Sequence, residues 1–223
     1  MIPLQIDCQL SGPWCPPQFA LHLDGLVAWS MVDEQVRAGS EIDSYEPILA
    51  DLPFGRHESG VWMASQFFPV GWMGQERRYV TGKTPVQHLA LSIGAGVVDT
   101  AGGSVIDTVR GIAKDHAGYI TIEHVRGLRA WCVGDEEALR AYLERITAIG
   151  TRTRMGFGTL KPFDDGSLWR IEPCNAAEEN HWMRRSSPVE LTPESYCARG
   201  SWHPPYWRGN EIIWRPIPMR LDI

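Results

Sequence analysis

From position 145 to position 161 the chain carries four cations, Arg145, Arg152, Arg154 and Lys161, and no carboxylate. Gly150, Gly156 and Gly158 break the same stretch, with Phe157 between the last two. Guanidinium and ammonium groups donate charge-assisted hydrogen bonds to phosphate oxygens. Glycines that accept φ > 0 leave room for another chain to press against backbone N–H groups. The pattern therefore fits contact with the phosphates of RNA or DNA, and its plainer alternative is a helix-to-strand turn. A nucleotide-triphosphate loop is excluded, because no Gly-Lys-Ser/Thr opens a helix here. A dinucleotide fingerprint is excluded too, since the turn follows a helix and leads to a strand, the reverse of the required order. A second basic stretch, Arg77, Arg78 and Lys83, lies upstream among aromatic residues.

Cutting RNA without a metal would need a general base titrating near neutral pH, and histidine is the usual choice. His22 stands at an expected helix start, where the helix dipole lowers its pKa; the same position suits a capping or packing histidine. His88 sits between apolar residues as a strand residue would, and His57, His116, His181 and His203 fall in expected loops without a legible partner. The carboxylate pairs Glu136-Glu137 and Asp164-Asp165 are adjacent in sequence, which suits capping better than sharing a proton. Five scattered cysteines, Cys8, Cys15, Cys132, Cys174 and Cys197, include no Cys-x-x-Cys pair, so buried thiols are expected in place of zinc ligands or disulfides. Neither a metal nor another cofactor is expected.

A chain of 223 residues, 43% hydrophobic, can bury one core with or without an appended lobe. Its net charge of −6 argues against a free-standing nucleic-acid binder, so any such activity must be local. Acids concentrate over 33–51 and bases over 77–83 and 145–161, the polarity of a protein with one face on a polyanion inside an assembly. No apolar run approaches membrane-spanning length, and residues 1–7 lack the basic start of a secretory signal, so a cytoplasmic protein is expected.

The elements that must position these groups follow from periodicity. Alternation predicts a strand over 3–10, and apolar spacing predicts helices over 22–32 and 135–149, the second capped by Asp135. Short strands are expected over 62–68, 77–80 and 86–93. A pair over 119–124 and 128–133 is expected to turn at Arg126-Gly127, and a further strand to run over 167–171. The organisation expected is a domain over 1–173 with a hairpin insertion around 54–111, then a Pro- and Trp-rich extension over 174–223. The fold class is α+β, with a ferredoxin-like or RRM-like βαββαβ order.

That order, the helix start Leu21-His22-Leu23-Asp24-Gly25-Leu26, and the run from Ile149-Gly150 through Gly158 into Lys161-Pro162-Phe163 resemble the RAMP superfamily of CRISPR proteins. The closest likeness is to the type IV effector subunit that caps the five-prime handle of the guide RNA, and it covers 3–173. The resemblance implies that Gly156, Phe157 and Gly158 lie against RNA, with Arg152, Arg154 and Lys161 on its phosphates. Arg77, Arg78 and Lys83 would belong to a thumb-like hairpin on the guide, or to a structural insertion. The implied partners are the crRNA, the backbone and large subunits of the same complex, and target DNA, with no membrane. The expected function is that of a non-catalytic crRNA-binding subunit. Two alternatives stay open: a metal-independent endoribonuclease that processes precursor crRNA with His22 or a tyrosine as base, and a protein-interaction module without RNA contact.

Overall fold

Leu4, Ile6, Cys8 and Leu10 are buried while the residues between them are not, and this alternation makes β1 (Ile2–Leu10) the spine of the fold. The computed structural model describes residues 1–17, 20–39, 44, 46–82, 90–91, 116–193, 195–201, 204, 211–216 and 221. Lys83, His88, His203 and most of the strand expected over 86–93 lie outside them. Five strands form an antiparallel-dominated sheet: β1, β2 (Phe68–Gly82), β3 (His116–Gly134), β4 (Leu160–Lys161) and β5 (Trp169–Pro173). Their order is β2-β3-β1-β4, and β5 pairs with β1 on the same side as β4. A separate two-stranded sheet joins β6 (Ser195–Gly200) to β7 (Glu211–Pro216).

Helices α1 (Leu23–Arg37) and α3 (Glu136–Leu143) contribute Leu23, Val27, Ala28, Leu139 and Leu143 to the core that β1 faces; between them lies the short α2 (Glu46–Ala50). The Ser30 hydroxyl donates to the Tyr142 carbonyl at 2.8 Å and ties α1 to α3. Asp135 caps α3 as expected, its carboxylate accepting from the Ala138 N–H at 3.0 Å.

The chain divides into two compact units, one of Met1–Gly74 with Glu123–Ile223 and one of Gln75–Ile122. The first contains the core, and the segment after Pro173 belongs to it: Trp182 and Arg185 are buried there, and Ser187 bridges to Trp214. Within the second, Tyr79 and Tyr119 place their rings 5.2 Å apart.

Two sequence expectations are corrected. The helix expected over 135–149 ends at Leu143, because the backbone of 147–149 takes partners from across the turn instead. The Leu160 N–H donates to the Thr147 carbonyl and the Ile149 N–H to the Gly158 carbonyl, both at 2.9 Å. Ile146 and Ile149 are nonetheless buried, which is why their spacing reads as helical. The turn expected at Arg126-Gly127 is absent, and 116–134 is one strand. Gly127 is there for close approach: a Cβ would collide with the Cys8 carbonyl of β1.

Candidate nucleic-acid interface

The sheet has a second face, away from α1 and α3, and the pairing register decides what stands on it. Gln5, Asp7 and Gln9 alternate with the core residues of β1. Asp7 lies opposite Arg129 on β3 and Arg170 on β5, and Gln9 lies opposite Gly127 and Lys161. Val125 and Leu128 both join the core, so the alternation of β3 slips by one residue between them, as at a β-bulge. The slip brings His124, Arg126 and Arg129 to the same side. Together these residues, Gln5 excepted, line a cleft of about 640 Å³ that lies within the first unit.

Charge in the cleft is one-sided. Arg126, Arg129, Lys161 and Arg170 line it, and Asp7 is the carboxylate among the lining residues. Asp7 is committed to Arg129 by two hydrogen bonds of 2.7 and 3.1 Å and also accepts from the Gln5 amide at 2.6 Å. Burial pulls the Arg129 guanidinium down, but the hydrogen bond and charge of Asp7, with Glu178 and Glu172 beyond, outweigh it and hold the group above its ordinary value. Arg170 lies over Phe163, its guanidinium carbon 4.3 Å from the ring centroid, and meets Glu172 at 3.8 Å. Lys161 is exposed, and no carboxylate forms an ion pair with it among the described residues.

The structure distributes the residues expected to touch RNA. Arg152 and Arg154 are exposed on the bend after α3, and neither is ion-paired among the described residues. Arg152 takes φ = 60°, the left-handed region that a side chain disfavours. Gly156 has open space where a Cβ would be, while its N–H donates to the Thr153 carbonyl at 2.9 Å. Gly158 is buried, donates to the Pro13 carbonyl at 2.9 Å, and would place a Cβ onto the Ile149 carbonyl. The Phe157 ring is turned inward, 4% exposed, and offers no stacking surface. Lys161 faces the cleft rather than joining Arg152 and Arg154 on the bend. Arg77 and Arg78 belong to the second unit, both exposed, with Arg78 bonded to Glu76 at 2.8 Å.

None of Arg126, Arg129, Arg170 and Phe163 is expected at a binding site from sequence, where Arg126 stands in an expected turn and Phe163 ends the Lys161-Pro162-Phe163 motif. The signal for two of them was present: Arg129 and Arg170 are polar positions within strands whose neighbours are apolar. A cation flanked by core residues on a paired strand marks the opposite face of the sheet.

His22 turns out to be a packing residue. Its ring is 3% exposed, Nε2 accepts from the Ser186 N–H at 3.0 Å, and Nδ1 lies 3.1 Å from the Ala20 carbonyl, to which it donates in the tautomer this requires. Burial, then the nearby Arg185 charge, lowers its pKa well below the ordinary histidine value. Asp24, two residues on, is ion-paired to Arg185 at 3.1 Å with both side chains fully buried. Arg185 further donates to the carbonyls of Trp62 at 2.5 Å and Ala64 at 3.1 Å.

All five cysteines are free; Cys8, Cys15 and Cys132 are buried, Cys174 is half-buried, and Cys197 is exposed. Burial raises the thiols of Cys8 and Cys132 and, with Glu178 and Glu179 nearby, pushes Cys174 up to about 11. Among the described residues, no group of three or more His, Cys, Asp or Glu side chains could hold a metal ion. No helix of the described residues is long and apolar enough to cross a membrane.

Comparison with known families matches residues 2–218 to the family described as CRISPR type IV associated protein Csf3. Comparison with curated proteins gives no match.

Proposed function

Because this chain belongs to the Csf3 family of CRISPR type IV associated proteins, we propose that it is the subunit of a type IV effector ribonucleoprotein that binds the five-prime end of the guide RNA. It anchors the neighbouring backbone and large subunits there and cuts nothing itself. The observation that carries this reading is the cleft: four cationic side chains around one concave sheet face, on a protein whose net charge is −6. Such local concentration of positive charge attracts a polyanion that the molecule as a whole would repel. Arg152 and Arg154 extend the cationic surface onto the bend after α3. The strand order, with two helices on one face, supports a ferredoxin-like domain whose other face carries the cleft at its Asp7–Gln9 end, the face on which RNA-recognition modules bind RNA.

A subunit without catalysis is the better reading because the histidine best placed in the sequence to act as a base is buried. His22 has both ring nitrogens within hydrogen-bond reach of backbone groups. The test is purification of the intact complex from its native host, followed by sequencing of the bound RNA and incubation of the protein with repeat RNA in EDTA. RNA of uniform length with shared ends, left uncut by this subunit alone, is the expected result. A complex that forms normally with no RNA attached to this subunit overturns the reading.

A further inference from the structure

The cleft carries more than charge. Phe163 is 8% exposed and lies beneath Arg170, whose guanidinium carbon sits 4.3 Å above the ring centroid. The guanidinium is thus held against an aromatic ring on one side, while the side chain remains 47% exposed. An arginine held this way is a flat, pre-organised shelf. Phosphate takes hydrogen bonds at the guanidinium edge and leaves the outer face unused. An unpaired base, in contrast, stacks on guanidinium planes as readily as on aromatic rings.

The neighbouring positions complete a nucleotide-sized site. Arg170 lies opposite Asp7 and Lys161 opposite Gln9, so the two positions stand two residues apart along β1, their backbones about 7 Å apart. That separation suits one group on the base and the other on its phosphate. Gln9, on the same face of β1, offers an amide donor and acceptor to a base edge. The cleft volume of about 640 Å³ falls in the range of pockets that bury one small ligand. From this geometry we infer that the cleft holds one unpaired nucleotide of a single-stranded RNA, its base stacked on the Arg170–Phe163 shelf and its phosphate on Lys161. The inference rests on the guide-RNA reading and adds where and how one nucleotide of that strand is gripped.

The test uses the full chain and labelled single-stranded oligoribonucleotides about ten nucleotides long, with and without one abasic position. Arg170→Lys keeps the charge and removes the plane; Phe163→Leu keeps the apolar volume and removes the ring. Arg170→Lys is expected to weaken binding about tenfold with the salt dependence unchanged. An abasic site at the gripped position is expected to weaken wild type similarly and to erase the difference between wild type and Arg170→Lys. Unchanged thermal midpoints for Arg170→Lys, an exposed position, confirm that folding is not the cause. Wild-type affinity in Arg170→Lys overturns the stacking inference while leaving the guide-RNA reading in place. Loss of a neighbouring subunit from Arg170→Lys complexes, with RNA binding intact, overturns it in favour of a protein contact. Failure of wild type to bind any of the oligonucleotides, alone or in the complex, overturns the guide-RNA reading itself. Competition by a free ribonucleoside monophosphate as strong as that of the oligonucleotide would place a diffusible nucleotide in the cleft and overturn the strand assignment.

Discussion

Asp24 on α1 and Arg185, 161 residues later, form an ion pair at 3.1 Å with neither side chain exposed to solvent. The pair anchors the segment after Pro173 to the first helix, and His22 adds a second tie by accepting the Ser186 N–H. The His-Leu-Asp-Gly sequence at the start of α1 is therefore a latch for the C-terminal segment rather than a ligand site.

Breaking that latch from one side leaves a buried charge without its partner. Asp24→Ala and Arg185→Met, each alone, are expected to lower the unfolding free energy by about 3–5 kcal/mol. The double variant Asp24→Ala with Arg185→Met is expected to cost less than the sum of the two single changes, because no charge is then stranded. It does not return to wild type, since the Trp62 and Ala64 carbonyls lose their donor. Urea denaturation of the four proteins measures the coupling. Single variants that each cost under about 1 kcal/mol would remove the latch from the account.

His22 makes stability depend on pH with a definite sign. Its folded pKa lies well below the ordinary histidine value, through burial first and the Arg185 charge second. The unfolded chain therefore takes up a proton that the folded chain refuses. The stabilisation is complete above about pH 6.5 and declines as pH falls towards the folded pKa, by at most about 1.4 kcal/mol per pH unit. His181, lowered by partial burial and by Arg184, adds a contribution of the same sign. His22→Gln is expected to be less stable at pH 7.5 yet to show a flatter decline between about pH 6.5 and 5. An unchanged slope in that variant would assign the pH dependence to other groups.

The two glycines of the bend are expected to behave differently. Gly156→Ala adds a methyl into open space and pays only for a left-handed backbone at φ = 86°, about 1–2 kcal/mol. Gly158→Val meets the Ile149 carbonyl as well as a φ of 67°, and is expected to cost more than about 3 kcal/mol or to prevent folding. Thermal denaturation of the two variants orders them. Equal costs would mean that the tight contact between 149 and 158 yields easily.

How much of this was legible in the sequence depended on whether the signal was periodic. β1 and α1 could be read from apolar spacing, and Asp135 from its residue type ahead of an amphipathic run. The bend after α3 was located correctly, but the end of the helix was not: Ile146 and Ile149 keep helical spacing while their backbone pairs with 158–160. Gly127 looked like a turn because glycine marks both turns and close strand contacts, and only the partner strand tells them apart. The cleft was invisible for a related reason. Its cations come from β3, β4 and β5, and they meet because of register, which no local window contains.

Arg152 and Arg154 offer the sharpest separation of stability from binding. Arg152 occupies φ = 60°, where glycine is at ease and arginine is strained, so Arg152→Gly is expected to raise the unfolding free energy by up to about 1 kcal/mol. If the guide RNA runs over the bend, the same change removes a phosphate contact and weakens retention. Arg152→Ala with Arg154→Ala removes two contacts, and the slope of log affinity against log salt is expected to fall by about 1.4 for a single strand. The fold should tolerate that pair, since both side chains are exposed and neither is ion-paired among the described residues. Binding measured across a salt titration, alongside thermal midpoints, reads both quantities from the same proteins. A double variant with wild-type affinity and slope would confine RNA contact to the sheet cleft and leave the bend as a turn.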